Sequence, residues 1–147
     1  MPDPSVRAGE ARLTITADVG YLVVIRRFVQ VAAAQRGLAD RAVEDVVHAV
    51  DELSANIILH GYAAAPGLIA VRCWAEAGAL HISLRDQAPA FDPTTRPDPN
   101  LDVPLEQRPV GGLGIFLSRK MLDDLRYQRL PSGENLLTLV KRLPGPA

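Results

Sequence analysis

The sequence predicts an α+β two-layer sandwich, in which a mixed, mostly antiparallel sheet carries about three helices on one face. Three observations predict it. Five segments of strand length are apolar or alternate in period two, and four of them fall into two hairpins. Three other segments repeat apolar residues at three- and four-residue spacing. No strand–helix–strand unit recurs, which argues against a doubly wound parallel sheet.

The elements follow in order. Residues 11–17, Ala-Arg-Leu-Thr-Ile-Thr-Ala, alternate as a strand does. Asp18 is a capping residue for the next helix. From Val19 to Gln35, the residues Leu22, Val23, Ile25, Phe28, Val29, Val31 and Ala32 form a broad apolar face, and Gly37 is a stop signal. A second helix is predicted from about Asp40 to Leu59, with Val43, Val46, Val50, Leu53 and Ile57 on one stripe and Gly61 at its end. Ala65-Pro66-Gly67 is turn chemistry. Residues 68–75 and 79–86 read as a hairpin around Glu76-Ala77-Gly78. The stretch 87–110 holds six of the chain's twelve prolines and no periodicity; a loop this long inside a compact domain usually has a function of its own. It leads into Gly111-Gly112-Leu113-Gly114, then a predicted helix over 115–122. Strands over 124–130 and 135–142 form a last hairpin around Pro131-Ser132-Gly133-Glu134. Residues 1–10 and 144–147 read as loose ends flanking one domain, 11–143.

Composition narrows the function. A chain of 147 residues can bury a core without disulfides or structural metal. An apolar share of 48% against 22% charged is that of a folded globular protein. Sixteen Lys and Arg against seventeen Asp and Glu give no basic excess for general nucleic-acid binding. Cys73 is the only cysteine, which excludes an internal disulfide and a multi-cysteine zinc site. No apolar run approaches the roughly 20 residues of a membrane span, and Met-Pro-Asp-Pro is no signal-peptide opening. The expectation is a cytoplasmic protein without a membrane or a direct nucleic-acid partner.

Three features carry chemistry. Glu52 and Asn56 lie four apart on the second helix, hence on one side of it, one turn apart. The amide oxygen suits a hard cation such as magnesium, and the carboxylate can take a proton from a hydroxyl. Taken alone, the pair also reads as an ordinary polar helix flank. Asp86 ends a strand and opens the proline-rich loop, which makes it either a turn former or a partner for an amino group. The run 111–114 lets a backbone approach a ligand at a helix start that attracts phosphate. No Gly-Lys-Ser/Thr follows it, so it is not a Walker phosphate loop. His60 reads as a helix-end residue, and His48 and His81 have no neighbours that suggest a metal.

The three features stand in this order at separations of about 30 and 25 residues. In this arrangement the chain resembles the GHKL ATPases of Bergerat fold, over roughly Leu13 to Leu143, and within them the anti-sigma-factor serine/threonine kinases of bacteria. Asp51-Glu52-Leu53-Ser54-Ala55-Asn56 is similar to the asparagine box. Asp86-Gln87-Ala88-Pro89-Ala90-Phe91 is similar to the first glycine box, and Gly111-Gly112-Leu113-Gly114 to the second. The resemblance implies Glu52 as general base, Asn56 as ligand of Mg2+, and Asp86 as partner of the adenine amine. It places Ala88, Phe91, Gly111, Gly112, Leu113 and Gly114 around ATP, with Thr138 supporting the adenine site from the last strand and 87–110 as the lid. Arg108 is a candidate for the terminal phosphate, or a solvated lid arginine. Ala88 stands where the family usually has glycine. If the position needs a positive φ, alanine costs on the order of 1 kcal/mol; if it needs only smallness, alanine fits.

The implied function is an ATP- and magnesium-dependent anti-sigma kinase acting on a STAS-type anti-anti-sigma factor. It would hold a sigma factor by partner switching, and the related kinases imply a homodimer. The other reading is a non-catalytic module of the same fold that sequesters a regulator, with weak or no ATP binding.

Overall fold

A computed structural model describes residues 7, 9–95, 102–104 and 112–145. Strand β1, Ala11–Thr16, leads through a single 3-10 turn into helix α1, Leu22–Gln35. Asp18 caps that turn, its carboxylate accepting from the Gly20 N–H at 2.7 Å. The end of α1 is set by Gly37 at φ +89°. The Gly37 N–H donates to the Ala34 carbonyl at 3.1 Å and the Leu38 N–H to the Ala33 carbonyl at 3.2 Å, the paired bonds of a glycine-terminated helix.

Helix α2, Asp40–Asn56, is three residues shorter than predicted. Beyond Asn56 the chain widens into one π turn, Ile57–Gly61, closed by the Tyr62 N–H on the Ile57 carbonyl at 2.8 Å. Ala63 and Ala64 follow at φ +50° and +65°, an uncommon conformation for alanine. Strands β2, Leu68–Glu76, and β3, Ala79–Asp86, form the expected hairpin. Its two-residue turn, Ala77-Gly78, has both residues at positive φ, which suits the twist of the flanking strands. Helix α3, Gly112–Met121, precedes the second hairpin, β4 at Asp124–Arg129 and β5 at Asn135–Arg142.

The strand order is β1-β2-β3-β5-β4, and every neighbouring pair is antiparallel. The sheet is therefore not mixed, because β5 folds back from β4 and slots between it and β3. Helices α1 and α2 cover one face. Ile25 and Val29 of α1 and Val46, Val50 and Leu53 of α2 bury against Ile69, Val71, Ile82, Leu84 and Leu139 of the sheet. Arg26 of α1 reaches Asp51 of α2 at 2.9 Å, and α3 packs along α2. The opposite face of the sheet is polar and aromatic: His81 stacks on Trp74 with ring centroids 5.3 Å apart, and Arg7 lies over the same indole. No helix among the described residues is long and apolar enough to cross a membrane.

Candidate active site

Asp86 is the last residue of β3 and is 4% exposed. Its Oδ1 accepts two hydrogen bonds at 2.9 Å, from the Ala88 N–H and from Nδ2 of Asn135. Burial lifts its pKa above the ordinary aspartate value. The bonds from Asn135 and Ala88 and the charge of Arg129 offset part of that rise. Ala88 does not take a positive φ; the described non-glycine residues that do are Ala63, Ala64 and Ala77. The position asks for smallness, since Ala88 is 2% exposed and packs on Gly61.

Asn135 is 5% exposed and was not among the residues singled out from the sequence. Its Nδ2 also donates to the carbonyls of Ala88 at 3.0 Å and Pro89 at 3.2 Å. Its Oδ1 accepts from the Tyr127 hydroxyl at 2.5 Å and from Arg129 at 3.0 Å. Thr138, predicted to support an adenine site, pairs with Ser83 rather than with Asp86. On β5 the residues Leu137 and Leu139 point into the core, and Asn135 shares their parity. Thr138 has the other parity and lines the helix-free face with Ser83 and Arg126. Of the two, it is Asn135 that meets Asp86.

Glu52 and Asn56 sit one turn apart on α2, both half-buried. Nδ2 of Asn56 is buried without a hydrogen-bond partner, which is costly unless something else meets it. Asn56 and Asp86 line one narrow cleft together with Leu53, Phe91, Pro93 and Asn135. The cleft measures about 20 Å³, room for one water. Phe91 is 36% exposed at the rim, whereas Pro93 is buried.

Gly112, Leu113 and Gly114 belong to α3 rather than to a loop before it, since the helix starts at Gly112, three residues earlier than predicted. The amides of a first helical turn have no partner inside the helix, so Gly112, half-buried Leu113 and Gly114 stand where an anion is favoured. A Cβ on Gly114 would fall 1.9 Å from Oε1 of Glu52. Only glycine lets α3 lie this close over the Glu52 carboxyl. Arg108 and Gly111 lie outside the described residues. The start of the segment read as a lid is fastened down: Gln87 N–H donates to the Tyr62 hydroxyl at 2.8 Å, and Arg129 to the Ala88 carbonyl at 3.1 Å. Asp92 then caps a 3-10 turn at Pro93–Thr95. His48 and His60 are exposed.

Among the described residues no group of three or more His, Cys, Asp or Glu could hold a metal. Magnesium suits this donor set only in company with phosphate oxygens and water, as it is commonly held beside nucleotides, with the Asn56 amide oxygen as the protein ligand.

Comparison with known proteins bears on the family and the fold. A family model described as a histidine kinase-like ATPase domain matches residues 15–141. The serine-protein kinases RsbW of Bacillus cereus and Bacillus anthracis are each 28% identical over 124 residues, covering 82% of this chain and 78% of theirs. A crystal structure of the RsbU and RsbW domains of a Mycobacterium tuberculosis protein is similar in fold, with a TM-score of 0.64 at 21% identity over 94% of this chain. The chain spans 33% of that longer protein.

Proposed function

This chain belongs to the histidine kinase-like ATPase family, and from that premise we propose that it is an ATP-binding anti-sigma regulatory factor that phosphorylates a serine or threonine of a STAS-type anti-anti-sigma factor. The observation that carries the reading is that Asp86 and Asn56, thirty residues apart in sequence, line the same cleft. Asp86 receives the amino group of adenine, with Ala88 and Phe91 beside the base. Asn56 ligates Mg2+. The backbone amides at Gly112, Leu113 and Gly114, with Gly111 and Arg108 ahead of them, meet the phosphates. Glu52 takes the proton of the attacking hydroxyl. Bound magnesium supplies charge neutralisation on the phosphates, and phosphoryl transfer asks little more of a protein than that and positioning. The sigma factor and the anti-anti-sigma factor compete for the chain as nucleotide and phosphorylation shift which complex is favoured. The exposed valines of α1 beside the edge strand β1 support a homodimer. The same reading places the protein in the cytoplasm.

Isothermal titration of ATP with and without magnesium tests the site. Saturable binding that magnesium tightens, lost in Asn56→Ala, is the expected result; no binding at millimolar ATP overturns it. With a phospho-accepting partner in hand, Glu52→Ala lowers transfer by about 10²–10⁴-fold while ATP still binds. Unchanged transfer removes Glu52 from the role of base. The tightness of the cleft around Phe91 and Pro93 favours one second reading, a sequestering module of the same fold that binds a regulator without turning over ATP. A stable complex with a sigma factor and no phosphorylated product would select it.

A further inference from the structure

We infer that Asn135 is the residue that makes the base pocket choose a 6-amino purine over a 6-oxo purine, by fixing which oxygen of Asp86 is left to read the base. The inference rests on the nucleotide-site reading above and deepens it.

The orientation of the Asn135 amide is determined by its neighbours. Arg129 can only donate, so the atom 3.0 Å from its Nη1 is the amide oxygen. The carbonyls of Ala88 and Pro89 can only accept, so the atom 3.0 and 3.2 Å from them is the nitrogen. The Tyr127 hydroxyl completes the oxygen's partners. With its amide locked this way, Asn135 must offer an N–H to Asp86, and it does so on Oδ1. The Ala88 N–H lands on that same oxygen. Two donors therefore occupy one side of the carboxylate. What remains toward the cleft, which Asp86 and Asn135 both line, is an oxygen that is acceptor only.

Such an oxygen is matched by the exocyclic amine of adenine. Against the 6-oxo group of guanine it would set acceptor on acceptor inside a narrow cleft, and an unmatched buried polar pair is disfavoured far more than a matched one is favoured. If the Asn135 clamp is removed, the carboxylate can turn or hold a proton, and it can then offer a donor as readily as an acceptor. The clamp also explains why so polar a side chain is buried at the first position of β5, where the next two residues of the same parity, Leu137 and Leu139, are core leucines.

The test is the ratio of ATP to GTP affinity, measured by titration in the wild type, in Asn135→Leu and in the isosteric Asn135→Asp, with thermal unfolding of each. Asn135→Asp keeps the side chain's size and the Tyr127 and Arg129 donors but faces Asp86 with a second carboxyl. The wild type is expected to prefer ATP, and both variants to lose about tenfold of that preference, chiefly through weaker ATP binding, as a lost hydrogen bond to a charged group predicts. Should Asn135→Leu not fold, the ratio in Asn135→Asp decides. A folded variant in which ATP and GTP weaken together, so that the ratio stands, reduces Asn135 to a structural residue and overturns the inference while leaving the nucleotide site intact. A wild type that binds neither nucleotide removes the site itself, and the inference with it.

Discussion

The methyl group of Ala88 fills the space that a side chain on Gly61 would need: a Cβ built on Gly61 would stand 3.2 Å from the Cβ of Ala88. The π turn after α2 and the first residues beyond β3 thus share one methyl between them. Ala88→Gly should remove that packing and loosen the unfolded chain, lowering stability by about 0.5–1 kcal/mol. Gly61→Ala should crowd the contact, and the exchange of both residues should recover part of the loss. Denaturant unfolding of the two single variants and the double variant reads this coupling. Additive single effects would show that the two positions are independent.

A second prediction concerns Gly114 and Glu52. The Cβ of an alanine at 114 would meet the flexible Glu52 carboxyl rather than backbone, so the fold should survive and Glu52 should swing aside. Alanine also favours the helix by about 1 kcal/mol over glycine. Gly114→Ala is expected to keep or raise the unfolding midpoint and to reduce phosphotransfer by about tenfold or more, within the range for a displaced general base. A variant with lowered stability and normal transfer would mean that the carboxyl has no need of its present place.

The raised pKa of Asp86 gives a pH dependence with opposite signs for stability and binding. Burial makes the folded chain hold the Asp86 proton more tightly than the unfolded chain does. The stability this confers is full below the ordinary aspartate value and is lost as pH rises through the raised folded value. Nucleotide binding runs the other way, because the adenine amine needs the ionised carboxylate, so ATP affinity should climb through that same window. Asp86→Asn should weaken ATP binding, flatten both profiles and raise the unfolding midpoint at neutral pH. Titration and thermal unfolding across mildly acidic to neutral pH check all three; profiles identical to the wild type would detach Asp86 from them.

The outer side of α1 supplies a fourth. Val23 and Val31 are 55% and 49% exposed, one helix away from the free edge of β1. Val23→Asp together with Val31→Asp should convert a dimer into a monomer in sedimentation equilibrium without disturbing the core residues Ile25 and Val29 on the opposite side of the helix. A dimer that persists in the double variant places the interface elsewhere.

Most of the architecture is legible in the sequence because its signals are local. The end of α1 at Gly37 and the Ala77-Gly78 hairpin are written in the residues that terminate them. The places where reading falls short are those decided by distant packing. The π turn over Ile57–Gly61 continues the apolar spacing of α2, so periodicity alone extends the helix through it. Helix α3 starts at Gly112, and the weak helix propensity of Gly112 and Gly114 hides that start. Asn135 and Thr138 differ in strand parity, but Leu136, Leu137, Leu139 and Val140 make both faces of β5 apolar. The pairing of β5 with β3, which sets Asn135 opposite Asp86, is a long-range contact, and only with it in place does one parity of β5 share the face of Asp86.

The Tyr62 hydroxyl donates to the Leu68 carbonyl and accepts from the Gln87 N–H, each at 2.8 Å, and a side chain on Gly67 would collide with its ring. One phenol therefore bolts the turn that follows Asn56 to the segment that follows Asp86. The two ends of the cleft are held like the jaws of a caliper with its screw tightened. Any molecule that touches both residues is measured against a gap set in advance, and Tyr62, which lines no part of the cleft, is the screw.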